Sequence, residues 1–300
     1  MGILQAVGDS RHPLQYLIIS SLVNVVLDLL FVGVFHMGVW SAAAATAISQ
    51  LVSMALCLLR LMRSERAYRV SLRKIRFDRR ALLEILQNGL PAGLQSSMFS
   101  ISNVLIQSAI NSFGTAAIAG NTAAASIEGF ATTVSNSISQ AALTFSSQNM
   151  GAEKYARVRR VLLVCLAATF VGGLTLGLLI YTFGTPLLAL FNTDPAVIAS
   201  GLVRVHHNMP LYVLFCMQDT FVGQLRGVGY SLLPTITSLS GICLLRVVWI
   251  LAVAPHFNTV AWTLYSYPVS WGVTSVLFIA YYLQGGWLKR RKKAMGFAVE

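Results

Sequence analysis

Stretches of about 20 apolar residues recur eight times along this 300-residue chain, and no other feature restricts its fold as strongly. A bilayer core of roughly 30 Å is crossed by about 20 residues of helix, and inside it every backbone N–H and C=O must find its partner within the segment. The spans are predicted at Leu14–Phe35, Val39–Met62, Leu82–Asn111, Thr115–Gln148, Val158–Phe183, Ala196–Leu225, Leu232–Ala254 and Thr259–Gln284. The expected fold class is an all-α integral membrane protein of about eight transmembrane helices. Composition agrees, because 56% of residues are hydrophobic and 11% charged, with mean hydropathy +0.68, whereas soluble domains carry roughly 25% charged residues.

The 22 Lys and Arg against 10 acidic residues give a net charge of +12, a balance that in a soluble protein points to nucleic acid. Their placement argues against such a partner. Arg11 precedes the first span; nine basic residues lie between Arg60 and Arg80, four between Lys154 and Arg160, one at Arg226 and five between Lys289 and Lys293. The alternate loops, around His36–Gly38, Ser112–Gly114, Gly184–Pro195 and Pro255–Asn258, hold none, and Arg204 and Arg246 fall inside spans. Basic loops stay on the cytoplasmic side, so both termini are expected there, with the lipid bilayer as the main partner.

Cys57, Cys165, Cys216 and Cys243 stand singly in apolar runs, without a CxxC pair or a His at ligand spacing, so they read as core thiols and no metal site is expected. The first ten residues lack the basic region, apolar core and cleavage site of a secretory signal. Without a Gly-x-x-x-x-Gly-Lys-Ser/Thr loop, ATP drive is not expected. Nothing resembles a nucleophile with its base, so the chain is not read as an enzyme and no cofactor is expected.

A shift of 221 positions aligns the first two spans with the last two. Val7-Gly8-x-Ser10-x-x-Pro13 falls on Val228-Gly229-x-Ser231-x-x-Pro234, and Val26, Leu30, Val32 and Val39 fall on Val247, Leu251, Val253 and Val260. Both copies leave the same side of the membrane, as in transporters whose halves are related by an axis along the membrane normal. Residues 1–62 then read as the last two helices of one six-helix lobe, 63–80 as a basic cytoplasmic linker, 81–288 as a complete second lobe and 289–300 as a basic cytoplasmic tail. Four helices of the first lobe are expected to be missing ahead of Met1.

The stretches Ala6-Val-Gly-Asp-Ser-Arg-His-Pro13, Gly89-Leu-Pro-Ala-Gly-Leu-Gln-Ser96, Ala119-Gly-Asn-Thr-Ala-Ala-Ala-Ser-Ile-Glu-Gly129 and Gln224-Leu-Arg-Gly-Val-Gly-Tyr-Ser231 together resemble the multidrug and toxic compound extrusion (MATE) family, nearest its bacterial members. The resemblance implies about twelve helices in two lobes, exchanging an organic, often cationic, substrate for Na+ or H+ by alternating access. It also implies a bacterial inner-membrane location, and a monomer is expected. The family's first helix, which in some branches carries an acidic coupling residue, is not in this chain. The sodium-coupled branch has an acid just past the proline of its seventh helix, and Ser96-Ser-Met-Phe-Ser100 has none. The coupling ion therefore does not carry over.

The fourth span holds Asn121, Glu128, Thr132, Ser135, Asn136 and Ser139 at intervals of three, four and seven, which puts them on one helical face. That face lines a wet cavity or packs inside the bundle, where hydroxyls bonding neighbouring helices contribute about 0.6 kcal/mol each. An acid inside a span costs about 2.5 to 3.5 kcal/mol on insertion scales, so Glu128, Asp219 and Asp28 are the candidates for cation or substrate coupling. Two readings stand for Glu128 and Asp219: they bind the coupling cation or a cationic substrate, or they form a structural ion pair with Arg246 as counter-charge. Asp28 reads as structural. In the third span Gln95, Asn103 and Gln107 form a second polar row, so the cavity-lining candidates are Gln95, Asn103, Gln107, Asn121, Thr132 and Asn136.

Phe99, Tyr212 and Phe215 are placed to stack on a flat substrate or simply to pack. Pro91, Pro210 and Pro268 interrupt the backbone ladder of their spans, and Asp194-Pro195 has the form of an N-cap followed by proline. Two alternatives to drug export are a lipid or lipid-linked sugar flippase of the wider superfamily, for whose phosphate only Arg204 and Arg246 would serve, and an incomplete chain without transport activity.

Overall fold

The computed structural model describes residues 1–38, 40–64, 68–71 and 76–285, apart from the side chains at 84 and 88. The basic tail expected at 289–300, the Lys289–Lys293 run, parts of the linker expected at 63–80, and Val39 lie outside the described residues. The described residues are almost wholly helical, and the chain divides into two compact units, Met1–Arg79 and Arg80–Glu300.

The first unit holds α1 (Gly2–Ala6), α2 (Arg11–Asp28), which runs on through a π-helical turn at Leu29–Val34, and α3 (Trp40–Arg63). In α3 the buried residues are Ser41, Ala45, Ser49, Ser53, Cys57 and Leu61, one every fourth position. Small side chains at this interval let two helices approach closely in lipid; Ser20 on α2 donates to the Ser49 carbonyl at 2.7 Å. On the outward faces Leu14, Leu22, Leu29, Leu51 and Met54 are all more than half exposed. Such a surface is untenable in water and ordinary in lipid.

The second unit contains α4 (Arg79–Asn111), α5 (Thr115–Gly151), α6 (Tyr155–Thr182), α7 (Gly184–Ala189), α8 (Pro195–Asn208) and α9 (Tyr212–Gly227). After them come α10 (Leu232–Ser238), α11 (Leu245–Val248), α12 (Ala254–Phe257), α13 (Val260–Leu264) and α14 (Ser266–Leu283). The 37-residue α5 is its spine and packs on α6, α8 and α9. Its buried Ala117, Ala123, Ala124, Ile127 and Ala131 join Ile106, Ile180, Leu188, Val205 and Tyr212 in the main apolar core. The expected loop at Gly184–Pro195 begins with the short α7, and α8 starts as predicted, with Asp194 Oδ1 accepting from the Ala196 amide at 2.9 Å. At Pro210 the predicted single span is broken by a 3-10 turn, Met209–Leu211, between α8 and α9. Leu232–Phe257 is one rod containing two π-helical turns, at Leu239–Leu244 and Trp249–Val253. Pro268, with no N–H to donate, lies just past the break at Tyr265 that separates α13 from α14.

Four helical stretches among the described residues, Arg11–Val34, Trp40–Arg63, Tyr155–Thr182 and Leu232–Phe257, are long and apolar enough to cross a membrane. The other long helices carry the polar side chains described below.

The 221-residue shift holds at the level of backbone geometry. Gly8 and Gly229 have φ of 85° and 86°. Gly8 N–H donates to Gln5 O at 3.0 Å and Asp9 N–H to Leu4 O at 2.9 Å; the shifted pairs, Gly229 to Arg226 and Tyr230 to Leu225, are 2.9 and 2.8 Å. Both are Schellman caps, in which glycine takes the left-handed position closed to a Cβ. Leu4 and Leu225 beneath them are fully buried. The π-helical turn at Leu29–Val34 also recurs at Trp249–Val253, within two residues of the same shift.

Candidate functional site

Within the second unit α4, α5, α8, α9, α14 and the rod from Leu232 surround a cavity of about 660 Å³, inside the range of roughly 300–1,000 Å³ for small-molecule sites. The polar face of α5 forms one wall through Asn121, Glu128 and Thr132, and the polar row of α4 another through Gln95, Asn103 and Gln107. Helical periodicity explains why each set shares a face. Asp219 and Arg246 also line the cavity, so eight of the ten sequence-predicted site residues meet there.

The two others do not. Asn136 is exposed on α5 and is not in the cavity wall; the residue of that turn that faces α9 is Ser135, whose hydroxyl donates to Asp219 Oδ2 at 3.4 Å. Asp28 belongs to the first unit, at the end of α2, where its buried Oδ1 accepts no hydrogen bond from the described residues.

The ion pair expected with Arg246 is instead made by Arg204. Its Nη2 lies 2.6 Å from Glu128 Oε2 and its Nε donates to Glu128 Oε1 at 3.0 Å, with both residues less than 8% exposed. Nη1 donates to Asn121 Oδ1 at 2.8 Å, and Asn208 Nδ2 reaches Glu128 Oε1 at 3.3 Å. Asn121 in turn donates to Gln107 Oε1 at 2.7 Å, tying α8 through α5 to α4. A forked guanidinium on a carboxylate is the strongest of the side-chain pairs, and here each carboxylate oxygen is occupied. Glu128 is thereby locked.

Asp219 is held far more loosely. Among the described residues its carboxylate has only hydroxyl partners, Ser135 Oγ at 3.4 Å from Oδ2 and the neighbouring Ser139, whose Oγ donates to the Asp219 backbone carbonyl at 2.8 Å. Arg226 was counted as a cytoplasmic loop charge; α9 extends to Gly227, so Arg226 lines the cavity and donates to Gln95 Oε1 at 2.7 Å. Arg246 donates through Nε to Ser270 Oγ at 3.0 Å and through Nη1 to Asn103 Oδ1 at 3.3 Å. Its Cζ sits 4.4 Å from the centre of the Tyr267 ring, which Arg204 also approaches, at 4.9 Å.

Aromatic rings complete the wall. Tyr212, Phe215, Tyr267 and Trp271 form a connected cluster with centroid separations of 5.3 to 5.9 Å, and Tyr212 OH bonds Thr132 Oγ1 at 2.8 Å. Phe215 and Tyr212 were expected either to stack or to pack; they pack on Trp271 and still face the cavity. Tyr267, Trp271 and Gln218 escaped the sequence reading, because aromatic residues and single amides in apolar spans give no signal beyond packing.

The sequence profile of the family described as MatE matches residues 91–251, which include most of this wall. The chain is 26% identical over 301 residues to the probable multidrug resistance protein YoeA of Bacillus subtilis, covering 96% of this chain and 64% of that protein. To the probable multidrug resistance protein YpnP of the same organism it is 27% identical, over 81% of this chain and 54% of that protein. The chain thus spans less than two thirds of the length of these relatives. A crystal structure of a MATE protein in complex with MaL6 superposes with a TM-score of 0.88 at 20% identity, covering 96% of this chain and 66% of that one, a likeness of fold.

Proposed function

From its place in the MatE family, to which this chain belongs, we propose that it acts as an ion-coupled exporter of small organic molecules, working by alternating access. A multi-pass membrane protein of this family has the bilayer as solvent and small molecules as cargo, and its relatives are named for multidrug resistance, not for an enzyme activity. In this reading residues 1–62 close one lobe, 81–288 form the other, eight helices cross the bacterial inner membrane, and both termini lie in the cytoplasm with the basic loops.

The observation that carries the proposal is the contrast between two carboxylates in one cavity. Glu128 has both oxygens engaged by Arg204 and is a brace, whereas Asp219 makes no ion pair among the described residues, is met only by hydroxyls, and faces the same space. Asp219 is therefore assigned as the exchanging group. A carboxylate at such a site holds a proton or a metal cation in turn, and because that occupancy sets the charge of the space the cargo enters, it links the two fluxes. Na+ and H+ are both compatible with this loosely held carboxylate.

The test is efflux of a fluorescent dye from pump-deficient bacteria expressing the chain, with the Na+ or proton gradient collapsed in separate arms. Asp219→Asn is expected to abolish gradient-dependent efflux while reaching the membrane in normal amount. Undiminished gradient-dependent efflux from that variant overturns the assignment.

A further inference from the structure

We infer that the cavity of the second unit recognises a flat aromatic carboxylate, held by Arg246 and stacked on the ring cluster beside it. This deepens the export reading, which left the cargo's charge open, and rests on it for the cavity's role.

The argument starts from charge. Among the described residues, the acidic and basic groups that line the cavity are Glu128 and Asp219 against Arg204, Arg226 and Arg246. Glu128 and Arg204 cancel in their forked pair. One acid, Asp219, then faces two guanidiniums, so the space carries one uncompensated positive charge. A cationic cargo would have to enter against it.

That excess is localised. Arg246 is 3% exposed and makes no ion pair with any described carboxylate. Buried charges are normally paired, because leaving one alone in a low-dielectric interior is expensive. Here Nε and Nη1 are spent on neutral oxygens, those of Ser270 and Asn103, and the guanidinium lies over Tyr267. Nη2 donates to nothing among the described residues. The group is fixed in orientation by three contacts and keeps a donor to spare, which is how a site prepared for an anion looks before the anion arrives.

Next to it stand Tyr267, Trp271, Phe215 and Tyr212, all in the cavity wall. Trp271 Nε1 is buried without a hydrogen-bond partner among the described residues, a second unspent donor in that wall. Rings offer area to another flat ring at low entropic cost. A single negative charge on an aromatic body matches the single positive excess and the ring wall together, whereas an aliphatic anion uses only the first.

The experiment is calorimetric titration of 2-naphthoate and of 2-naphthylmethylammonium, the same ring system with opposite charges, into the purified protein in detergent, with empty micelles as blank. Tighter binding of naphthoate is expected. Arg246→Gln is expected to weaken naphthoate by about tenfold or more, the loss of one charge-assisted contact, without weakening the amine. Arg246→Lys is expected to fall between. Equal or tighter binding of the amine by the wild-type protein, no naphthoate binding, or an equal loss of both ligands in Arg246→Gln overturns the inference. Should Arg246→Gln fail to fold, the wild-type preference and Arg246→Lys still decide it. The titration uses no gradient, so normal efflux from Asp219→Asn cells overturns the coupling assignment and leaves this result untouched, while an amine preference overturns the inference and leaves export untouched.

Discussion

Replacing Glu128 by Gln tests whether that carboxylate is a brace or a working group. The substitution keeps the shape and one acceptor but leaves Arg204, 6% exposed, without its counter-charge. Removing one partner of a buried pair costs about 3–5 kcal/mol. For a unit of this size about 2–4 °C is lost per kcal/mol, so the midpoint is expected to fall by about 6–20 °C. Arg204→Gln strands Glu128 in the same way and should cost a similar amount. The double variant strands neither charge, so its midpoint is expected to lie at or above that of either single variant instead of at the sum of their losses. Thermal unfolding of the three proteins in detergent, followed by tryptophan fluorescence, gives all the needed values. Two results refute the reasoning: an unchanged midpoint for Glu128→Gln, or additive losses in the double variant. The first of these, joined to lost efflux, would move the coupling role from Asp219 to Glu128.

Gly120 on α5 sits against the α8 backbone, and a Cβ there would lie 2.5 Å from Val197 O and 2.6 Å from Gly201 N. Gly120→Ala is expected to force the two helices apart, lowering stability by about 1–3 kcal/mol in the same unfolding assay and lengthening the Arg204 to Glu128 contact one turn along α8. Gly8→Ala and Gly229→Ala place a side chain at φ of 85° and 86° and should each cost about 1–2 kcal/mol, equally in the two copies; a loss in one copy only would break the equivalence of the two caps.

Much of this molecule was legible in one dimension and some of it was not, and the division has a physical cause. Apolar length marked the helical stretches, three- and four-residue spacing put Asn121, Glu128 and Thr132 on one face, and the Gly-x-Ser-x-x-Pro recurrence marked two equivalent turns, whose backbone is that of Schellman caps. Each of these is a property of a single helix or its end. Azimuth between helices is not such a property. Arg204 and Arg246 are each the lone cation of an apolar span, and nothing along the chain says which of them turns toward Glu128. Asn136 shows the same limit at finer grain, because a 3.6-residue period does not tell whether position 135 or 136 marks the edge of the face. Arg226 fails for a third reason: charge-based topology assigns any basic residue near a span end to the loop, although α9 carries this one inward onto Gln95. The errors over Arg204 and Arg226 share a consequence. With Arg246 spent on an acid and Arg226 outside, the site looks anionic and invites a cationic cargo; with Arg204 as the partner and Arg226 inside, its sign reverses. The polarity of a cavity in a helical bundle is therefore decided by tertiary pairing, the one level that the pattern of residues along a chain leaves open.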